Sequence, residues 1–318
     1  MAKRNMGKGV ILSLGSAIKD IQVRAEDKAK PGETITARDL RTASGGKAAN
    51  RAYYIAKLGA PSWLLARLGH DQEAVEVLKP LQEAGVQLEH VKQASGRRTG
   101  FAIIAVQPNG SEAILAVNNA HDCWEPASPA HVANVISNAP DNSILTVDLE
   151  IPADVVIAAL HAAKDRNFTI LIDPTPASLL QDQFYALADF LTPDISEAES
   201  MAGFAIRQPE DGIKACKAII AKGARQALVK MGDKGYVMIT ADQQELYLPA
   251  PDVQMVDSTG AGDAFAAALA FALWEGQQPA QAFRFAAMAS SLAVAQYGSQ
   301  PSYPDKKIID QKLVGWKV

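Results

Sequence analysis

The sequence predicts an α/β protein with a mostly parallel central sheet flanked by helices and a small additional β-sheet. Three observations support this. Short apolar runs alternate with segments of helical periodicity, most regularly after residue 124, and such alternation is typical of parallel sheets covered on both faces. Two hairpin-like stretches, 21–40 and 99–117, interrupt the alternation. Small-residue loops open two of the helices, and ligands of such sheets bind at the carboxyl ends of the strands.

The strands of the central sheet are expected where short apolar runs are bounded by glycine, proline or polar residues. These runs occupy residues 10–14, 62–66, 143–147, 168–172, 190–192 and 227–231, with a closing hairpin at 235–240 and 245–248. Helices are expected where cap residues or glycines bound periodic segments. These segments occupy residues 47–58, 71–84, 152–166, 196–201, 209–222, 260–275 and 280–297. The small sheet is expected from the two hairpins, whose turns contain Pro31-Gly32 and Pro108-Asn109-Gly110.

The amino-acid composition argues against some classes of binding partner. The net charge of −4 over 318 residues argues against nucleic acid or a membrane surface as the main partner, and no apolar run is long enough to span a bilayer. Cys123 and Cys216 provide no disulfide framework, which fits a reducing cytoplasm. The histidines lack metal-ligand spacing and are expected to be surface or hydrogen-bonded core residues. They are His70, His90, His121, His131 and His161.

The most informative motif is Asp-Ser-Thr-Gly-Ala-Gly-Asp at 257–263, directly before an Ala-rich segment. Gly260 and Gly262 let backbone N–H groups approach a ligand closely, and the positive end of a helix favours an anion. Asp263 would repel a phosphate, but a carboxylate beside a phosphate site suits a base that takes a proton from an alcohol. The alternative is an ordinary helix start with Asp263 as a first-turn residue. Because Phe265 replaces a third glycine, the loop is not a dinucleotide fingerprint.

The second motif is Gly-Gly-Lys-Ala-Ala-Asn at 45–50, where two glycines open a helix. Lys47 and Asn50 are three residues apart and therefore share a helix face. An amine and an amide side by side are suitable donors to sugar hydroxyls. The alternative is a helix start with solvated polar residues.

In this order the two motifs resemble the signatures of the ribokinase, or PfkB, family of carbohydrate kinases. The resemblance extends from residue 10 to about residue 304 and implies a ribokinase-like fold with a lid over the sugar. It implies ATP-dependent phosphorylation of a hydroxymethyl group on a ribose-like sugar, with Mg²⁺ and a monovalent cation such as K⁺. The implied division is a kinase core of 9–20, 42–97 and 119–304, a lid of 21–41 and 98–118, and a C-terminal tail of 305–318.

The resemblance also implies roles for individual residues. The catalytic group consists of the base Asp263 and the anion-binding amides of Gly260, Ala261 and Gly262. The sugar contacts implied are Asp20, Gly45, Gly46, Lys47, Asn50 and Glu150. The nucleotide side is implied to contain Asp194, Lys230, Gly232 and Gly235, with Glu197 organising Mg²⁺ through water. A monovalent cation site is implied at Asp257, Thr259, Ala293, Gln296, Gly298 and Ser302.

Two positions depart from the family pattern. Asp194 stands where the family has Asn in its Asn-x-x-Glu element, and a second carboxylate near phosphates is unfavourable unless a metal offsets it; helix capping is the alternative role. Ile18 stands where ribokinase-like chains carry a polar sugar contact, so a less polar or differently oriented substrate is an alternative to ribose.

The remaining alternatives are a nucleoside or vitamin-like alcohol kinase of the same fold and a non-catalytic sugar- or nucleotide-binding homologue. A substrate panel separates the first from a sugar kinase, and ATP consumption separates the second. We also expect a cytoplasmic homodimer that associates through the lid, because exposed edge strands readily pair with another chain.

Overall fold

The computed structural model describes residues 9–27, 32, 34–108 and 112–316, which form two sheets and their flanking helices. The strands of the nine-stranded central sheet are β1 (Ile11–Leu14), β4 (Ser62–Leu68), β5 (Val91–Gln93), β8 (Ile144–Val147), β9 (Thr169–Ile172), β10 (Phe190–Leu191), β11 (Ala227–Lys230), β12 (Tyr236–Ile239) and β13 (Glu245–Leu248). Their spatial order is β13-β12-β11-β10-β9-β8-β1-β4-β5, and only the β11–β12 and β12–β13 pairs are antiparallel. The predicted mostly parallel sheet is therefore confirmed.

Helices cover both faces of this sheet. They are α1 (Lys47–Leu58), α2 (Gln72–Glu83), α3 (Ser128–Ser137), α4 (Ala153–Asp165), α5 (Asp182–Leu187), α6 (Ile195–Ala202), α7 (Pro209–Ala221), α8 (Ala261–Trp274), α9 (Pro279–Ala293) and α10 (Lys306–Gly315). Helices α3–α7 bury apolar residues against one face, and α1, α8, α9 and α10 against the other. Leu12 and Leu14 of β1 belong to the first layer and Ile11 to the second, as the alternation of side chains along a strand requires.

Helix α8 is the central helix of the second layer. Its residues from Asp263 to Ala272 are all buried, and a helix that is apolar all round is stable only inside a protein. Six alanines in this segment allow close approach of neighbouring helices, and α8 packs against α1 and α9. The burial fixes the N-terminus of α8, and with it the 257–263 motif, at a constant position over the sheet.

The small sheet stands beside the carboxyl ends of the central strands. Its strands are β2 (Ile18–Ala25), β3 (Ala37–Gly45), β6 (Phe101–Val106) and β7 (Glu112–Val117), in the order β3-β2-β6-β7. The β2–β3 and β6–β7 pairs are antiparallel, as two hairpins predict, and β2 and β6 join them in parallel. The strands extend beyond the predicted ranges, from Ile18 and to Gly45. The predicted turn residues Pro31, Asn109 and Gly110 lie outside the described residues.

Several elements differ from the sequence-based expectation. The segment 305–318 was expected as a tail, but α10 occupies most of it and buries Ile309 completely. Helix α9 ends at Ala293 instead of continuing to residue 297, because the backbone N–H groups of Val256 and Asp257 bond to the carbonyl of Val294 and the chain turns there. Strand β5 and helices α3 and α5 were not predicted. Among the described residues, no helix combines the length and apolar character required to cross a bilayer.

Candidate active site

Polar residues collect at the carboxyl ends of five neighbouring parallel strands. Each residue lies at, or one to three positions after, the last residue of β1, β8, β9, β10 or β11. These residues are Ser16, Asp148, Asp173, Asp194 and Lys230. The N-terminus of α8 and the inner face of the small sheet cover the same edge. The site therefore lies where open α/β sheets bind ligands.

Asp263 occupies the third position of α8 and is almost completely buried. Asn50 of α1 donates a hydrogen bond from Nδ2 to Asp263 Oδ2 at 2.9 Å. Burial raises the pKa of the Asp263 carboxyl, and the positive charges of Lys47 and Arg51 partly offset that effect. Asp263 is therefore held in one orientation, beside two cations, with increased affinity for a proton.

Two cavities meet at Asp263. The first has a volume of about 670 Å³ and lies between the small sheet and the core. Its polar lining includes the predicted sugar contacts Asp20, Gly46, Lys47, Asn50 and Glu150. The second has a volume of about 840 Å³ and is lined by Asp194, Glu197, Lys230, Gly232 and residues 260–263. Lys47, Gly260 and Asp263 line both cavities. A hydroxyl entering from the first cavity and a phosphoryl group entering from the second would both reach Asp263.

Lys47 is held at the boundary of the two cavities by a short chain of polar contacts. Ser16 Oγ accepts a hydrogen bond from the backbone N–H of Lys47 at 2.9 Å and donates one to Glu150 Oε2. The Lys47 Nζ lies 3.6 Å from Glu150 Oε1. Burial opposes the charged form of Lys47, but the carboxylates of Glu150 and Asp263 outweigh burial and raise its pKa. Lys47 is therefore a permanent cation at this site.

Arg51 forms the centre of a buried charge network beneath the cavities. Its Nη2 donates to Asp148 Oδ2 at 2.8 Å, and its Nη1 lies 3.9 Å from Asp173 Oδ2. Lys230 Nζ donates to Asp173 Oδ1 at 3.1 Å. Burial alone would raise the pKa of Asp173, but the charges of Lys230 and Arg51 dominate and lower it. Two cations and two carboxylates therefore form one buried network, of which Asp173 and Lys230 line the second cavity.

Asp194 is the N-cap of α6. Its Oδ1 accepts hydrogen bonds from the backbone N–H of Glu197 and from Ser196 Oγ, each at 2.9 Å. Glu197 Oε2 in turn accepts from the backbone N–H of Asp194 at 2.8 Å, which completes a capping box. Thr175 Oγ1 donates to the other oxygen of Glu197. The capping alternative for Asp194 is thus realised, while both carboxylates still line the second cavity.

Asp257 is fully buried and both its oxygens accept hydrogen bonds. Oδ1 accepts from the backbone N–H and Oγ1 of Thr259, and Oδ2 accepts from Gln22 Nε2 at 2.7 Å and the backbone N–H of Gly298 at 2.8 Å. Glu112 of β7 lies within hydrogen-bond distance of the same Thr259 hydroxyl, whose single proton it shares with Asp257. Strands β2 and β7 of the small sheet are therefore bonded directly to the loop that precedes α8.

The other residues predicted for a cation site surround the same turn less directly. Ala293 is the last residue of α9, and Gln296 is exposed on the turn after it. Ser302 is buried, and its Oγ donates to the carbonyl of Ser299 at 2.7 Å. Among the described residues, His, Cys, Asp and Glu form no group of three that could hold a metal ion.

Glycines create two of the close approaches in the site. A Cβ on Gly45 would lie 2.2 Å from the carboxylate atoms of Asp20, so Asp20 occupies its position only because residue 45 has no side chain. Burial and the nearby Asp263 raise the pKa of Asp20 to about 7. Gly260, the N-cap of α8, has a φ of 76°, which favours glycine. Gly235 lines neither cavity but directly precedes β12, where a Cβ would overlap the carbonyl of Leu248.

Comparison with known proteins identifies the family. A model described as pfkB family carbohydrate kinase matches residues 9–306. The chain belongs to this family. A ribokinase of Arabidopsis thaliana is 33% identical over 94% of this chain and 79% of the relative. A deoxyribokinase of Salmonella typhi is 29% identical over 95% of this chain and 98% of the relative.

Solved structures agree with this assignment. The structure of Arabidopsis thaliana ribokinase complexed with ribose and ATP matches with a TM-score of 0.81 at 31% identity, covering 96% of this chain and 98% of that chain. The predicted family, the ribokinase-like fold and the enzyme class, a carbohydrate kinase, are confirmed. In this pfkB-family chain the small sheet of β2, β3, β6 and β7 is the lid.

The structure also places residues in the site that the motifs did not single out. Ser16 lies two residues after β1 and Asp173 directly follows β9, so the rule that ligands bind at carboxyl strand ends could have found them. Arg51 directly follows the second motif, but its sequence position gives no sign that it is buried. His121, expected as a surface or hydrogen-bonded core residue, is buried and lines the first cavity.

Proposed function

We propose that this chain transfers the γ-phosphoryl group of ATP to a hydroxymethyl group of ribose or a related sugar. The observation that carries the proposal is the meeting of two cavities at Asp263, one lined by sugar-type donors and acceptors and the other by a helix N-terminus and Lys230. The ribose and ATP in the related Arabidopsis structure support the same pair of ligands. The sugar would occupy the first cavity beneath the lid and ATP the second.

In the proposed reaction the sugar hydroxyl attacks the γ-phosphorus in line. The new O–P bond forms as the bond to the β-γ bridging oxygen breaks, ADP leaves, and the hydroxyl proton passes to the Asp263 carboxylate. Lys47 and Glu150 would orient the sugar, because Ser16 bonds the backbone N–H of Lys47 and the Glu150 carboxylate, and that carboxylate lies 3.6 Å from Lys47 Nζ. Asp20, Gly45, Gly46 and Asn50 would complete the sugar site.

The amides at the start of α8 would bind the transferring phosphoryl group. The N–H of Ala261 already donates to the carbonyl of Ser258 at 3.2 Å, so we assign the main role to Gly260 and Gly262. A Cβ on Gly262 would lie 3.3 Å from Lys230 Nζ, which places this cation beside the same amides. Gly232 lines the nucleotide cavity, whereas Gly235 would shape the adjoining hairpin.

The residues of the second cavity fit a Mg²⁺ ion held through water and phosphate. Asp194 and Glu197 offer carboxylate oxygens there, but each also serves the capping box, so neither is free to turn fully towards a metal. When bound, Mg²⁺ would neutralise charge on the phosphates. We also propose that a monovalent cation such as K⁺ binds near Asp257, Thr259, Ala293, Gln296, Gly298 and Ser302, where it would stabilise the loop before α8.

A coupled ADP-release assay tests this function. We expect ATP consumption that depends on a sugar from a panel of pentoses, deoxypentoses, hexoses and nucleosides, that requires Mg²⁺, and that increases when K⁺ replaces a large organic cation. Turnover restricted to nucleosides would favour the nucleoside-kinase alternative. Sugar binding in calorimetry without any turnover would indicate a non-catalytic homologue instead.

We further propose that two copies associate through the outer face of the lid. Glu112, Ile114 and Ala116 line the first cavity, so the alternating residues of β7 face outwards. Leu115 and its cross-strand partner Ile103 on β6 are 68% and 41% exposed. Exposed apolar residues on a sheet with a free edge strand are typical of association surfaces.

Replacing Leu115 with Asp is expected to shift the protein from dimer to monomer, because two charges would be buried at a symmetric contact. Light scattering after size-exclusion chromatography measures the mass. Val314→Asp is the matched control, since Val314 is 88% exposed and lies on α10, outside the lid strands. A wild-type monomer, or an unchanged dimer in Leu115→Asp, would contradict the proposed surface.

We place the enzyme in the cytoplasm. Cys123 and Cys216 are both free thiols, and Cys216 is buried, which fits a reducing compartment. The proposed second substrate, ATP, is supplied there.

A further inference from the structure

His121 is a buried polar residue in the wall of the sugar cavity without a partner for one of its nitrogens. It lies in a single turn of 3-10 helix, Ala120–Asp122, which two residues separate from the end of the lid strand β7. The residue is 4% exposed and lines the first cavity. Its Nδ1 has no hydrogen-bond partner within residues 9–27, 32, 34–108 and 112–316. An unpaired buried nitrogen is unfavourable. Because Nδ1 is itself fully buried and faces Gly100, a ligand in the cavity can bond only to the other ring nitrogen, Nε2.

The backbone holds this imidazole in place. The carbonyl of His121 accepts a hydrogen bond from Trp124 Nε1 at 2.8 Å, and the backbone N–H of Ala120 donates to the carbonyl of Arg98 at 3.0 Å. A Cβ on Gly100 would lie 2.4 Å from His121 Nδ1 and 3.0 Å from Ile18 Cγ2. The ring is therefore seated in a slot that exists because residue 100 is glycine, and Ile18 forms its apolar neighbour.

Burial favours the neutral form of the ring, and no described contact of Nδ1 commits it to one tautomer. Burial lowers the pKa of His121, and the negative charges of Glu150 and Asp122 only partly offset that effect. The tautomer of a neutral histidine is normally set by a hydrogen bond to one of its nitrogens, and Nδ1 has none among the described residues. The ring can therefore present either a donor or an acceptor to a ligand in the cavity.

We propose that His121 is a sugar-specificity residue, whose ring bonds a substrate hydroxyl beside Ile18. This inference rests on the proposed sugar-kinase function and names a determinant of its selectivity. Ile18, Ala102 and Leu149 of the same cavity provide no side-chain polar atom. Asn118 and Asp122 also line the cavity, but both are exposed and can bond to water instead. A hydroxyl at this wall would lose its hydration and depend on His121 for compensation.

The test is His121→Phe, which keeps a planar ring and removes both nitrogens. We expect kcat/KM for the accepted sugar to fall about 10-fold or more, chiefly through KM, because one hydrogen bond to the substrate is lost. The selectivity for that sugar over one analogue lacking a single hydroxyl should disappear, while selectivity over the other deoxy analogues and KM for ATP remain unchanged. This pattern distinguishes recognition from general damage to the fold.

Two further variants complete the experiment. His121→Asn retains a donor and an acceptor and should recover part of the selectivity. His161→Phe, at an exposed position on α4, makes the same substitution elsewhere and should behave as wild type. Unchanged selectivity ratios in His121→Phe would overturn the inference. If the wild type phosphorylates no sugar, the proposed function fails. The role of His121 is then decided by calorimetric titration of the same sugars. Equal sugar affinities of the wild type and His121→Phe, or no sugar binding at all, would overturn that role.

Discussion

Replacing Asp263 with Asn is expected to lower kcat by about 10²–10⁴-fold, the usual contribution of a positioned general base. The amide has the same shape and its oxygen can still accept the hydrogen bond from Asn50 Nδ2, so the site should keep its geometry. It cannot accept the hydroxyl proton. Steady-state rates of ADP release with the accepted sugar measure the loss, and calorimetry should show that ATP and sugar still bind.

The matched control is Asp165→Asn, the same substitution at an exposed position at the end of α4. It should leave kcat within about twofold of wild type, as surface substitutions usually do. Near-full turnover by Asp263→Asn would show that the carboxylate is not the base, and the proton would then have to leave through water or the phosphate itself. Failure of Asp263→Asn to bind ATP would instead indicate that the substitution disturbed the loop at 257–263.

The wild-type pH profile provides a second readout of the same role. Burial raises the pKa of Asp263, and only its deprotonated form can accept a proton. The kcat/KM should therefore fall as the pH falls through this raised pKa, beginning at a higher pH than an ordinary aspartate would give. The buried Asp20, with its pKa of about 7, also titrates in this region, so the profile should be read together with sugar affinity. Asp263→Asn should remove the Asp263 component from its residual activity.

The glycine-containing loop at the start of α8 and the alternation of strands and helices could be predicted because each depends on residues close together in sequence. Glycines at a helix start and a run of alanines carry their structural meaning locally. The same holds for the hairpins of the lid, whose turn residues and apolar runs are contiguous. The C-terminal segment was misjudged because α10 is stabilised mainly by contacts with distant residues, such as the packing of Ile309 in the layer of α8 and α9.

The unpredicted part of the site depends on pairs far apart in the chain. Ser16 and Glu150 are separated by 134 positions, and Arg51 and Asp148 by 97. No local sequence pattern predicts such pairs, although they can form only where the carboxyl ends of parallel strands meet. His121 was misjudged for a related reason. Whether the nitrogens of a histidine are hydrogen-bonded depends on what surrounds them, and the glycine that seats this ring, Gly100, lies on a distant segment just before β6.

Replacing Arg51 with Met is expected to lower the free energy of unfolding by about 3–5 kcal/mol, the range for breaking a buried ion pair by removing one partner. Arg51 is completely buried, and Met approximates its length without a charge. Its removal would leave Asp148 without its hydrogen-bonded cation, and the pKa of Asp173 would be lowered less than in the wild type. Chemical denaturation with urea measures the change, and Arg207→Met at an exposed position is the control.

The double variant Arg51→Met with Asp148→Asn decides what Arg51 contributes. If its main role is to neutralise Asp148, removing that charge as well should recover a large part of the lost stability, and the cycle should give a coupling energy of about 0.5–3 kcal/mol, as for other contacting residues. Additive losses would mean that Arg51 acts through packing alone. Arg51 also lies beside Asp173, which holds Lys230 next to the α8 amides. If the double variant recovers stability but not kcat, the remaining role of Arg51 is in catalysis. There it would keep the cations of the two cavities correctly placed relative to each other.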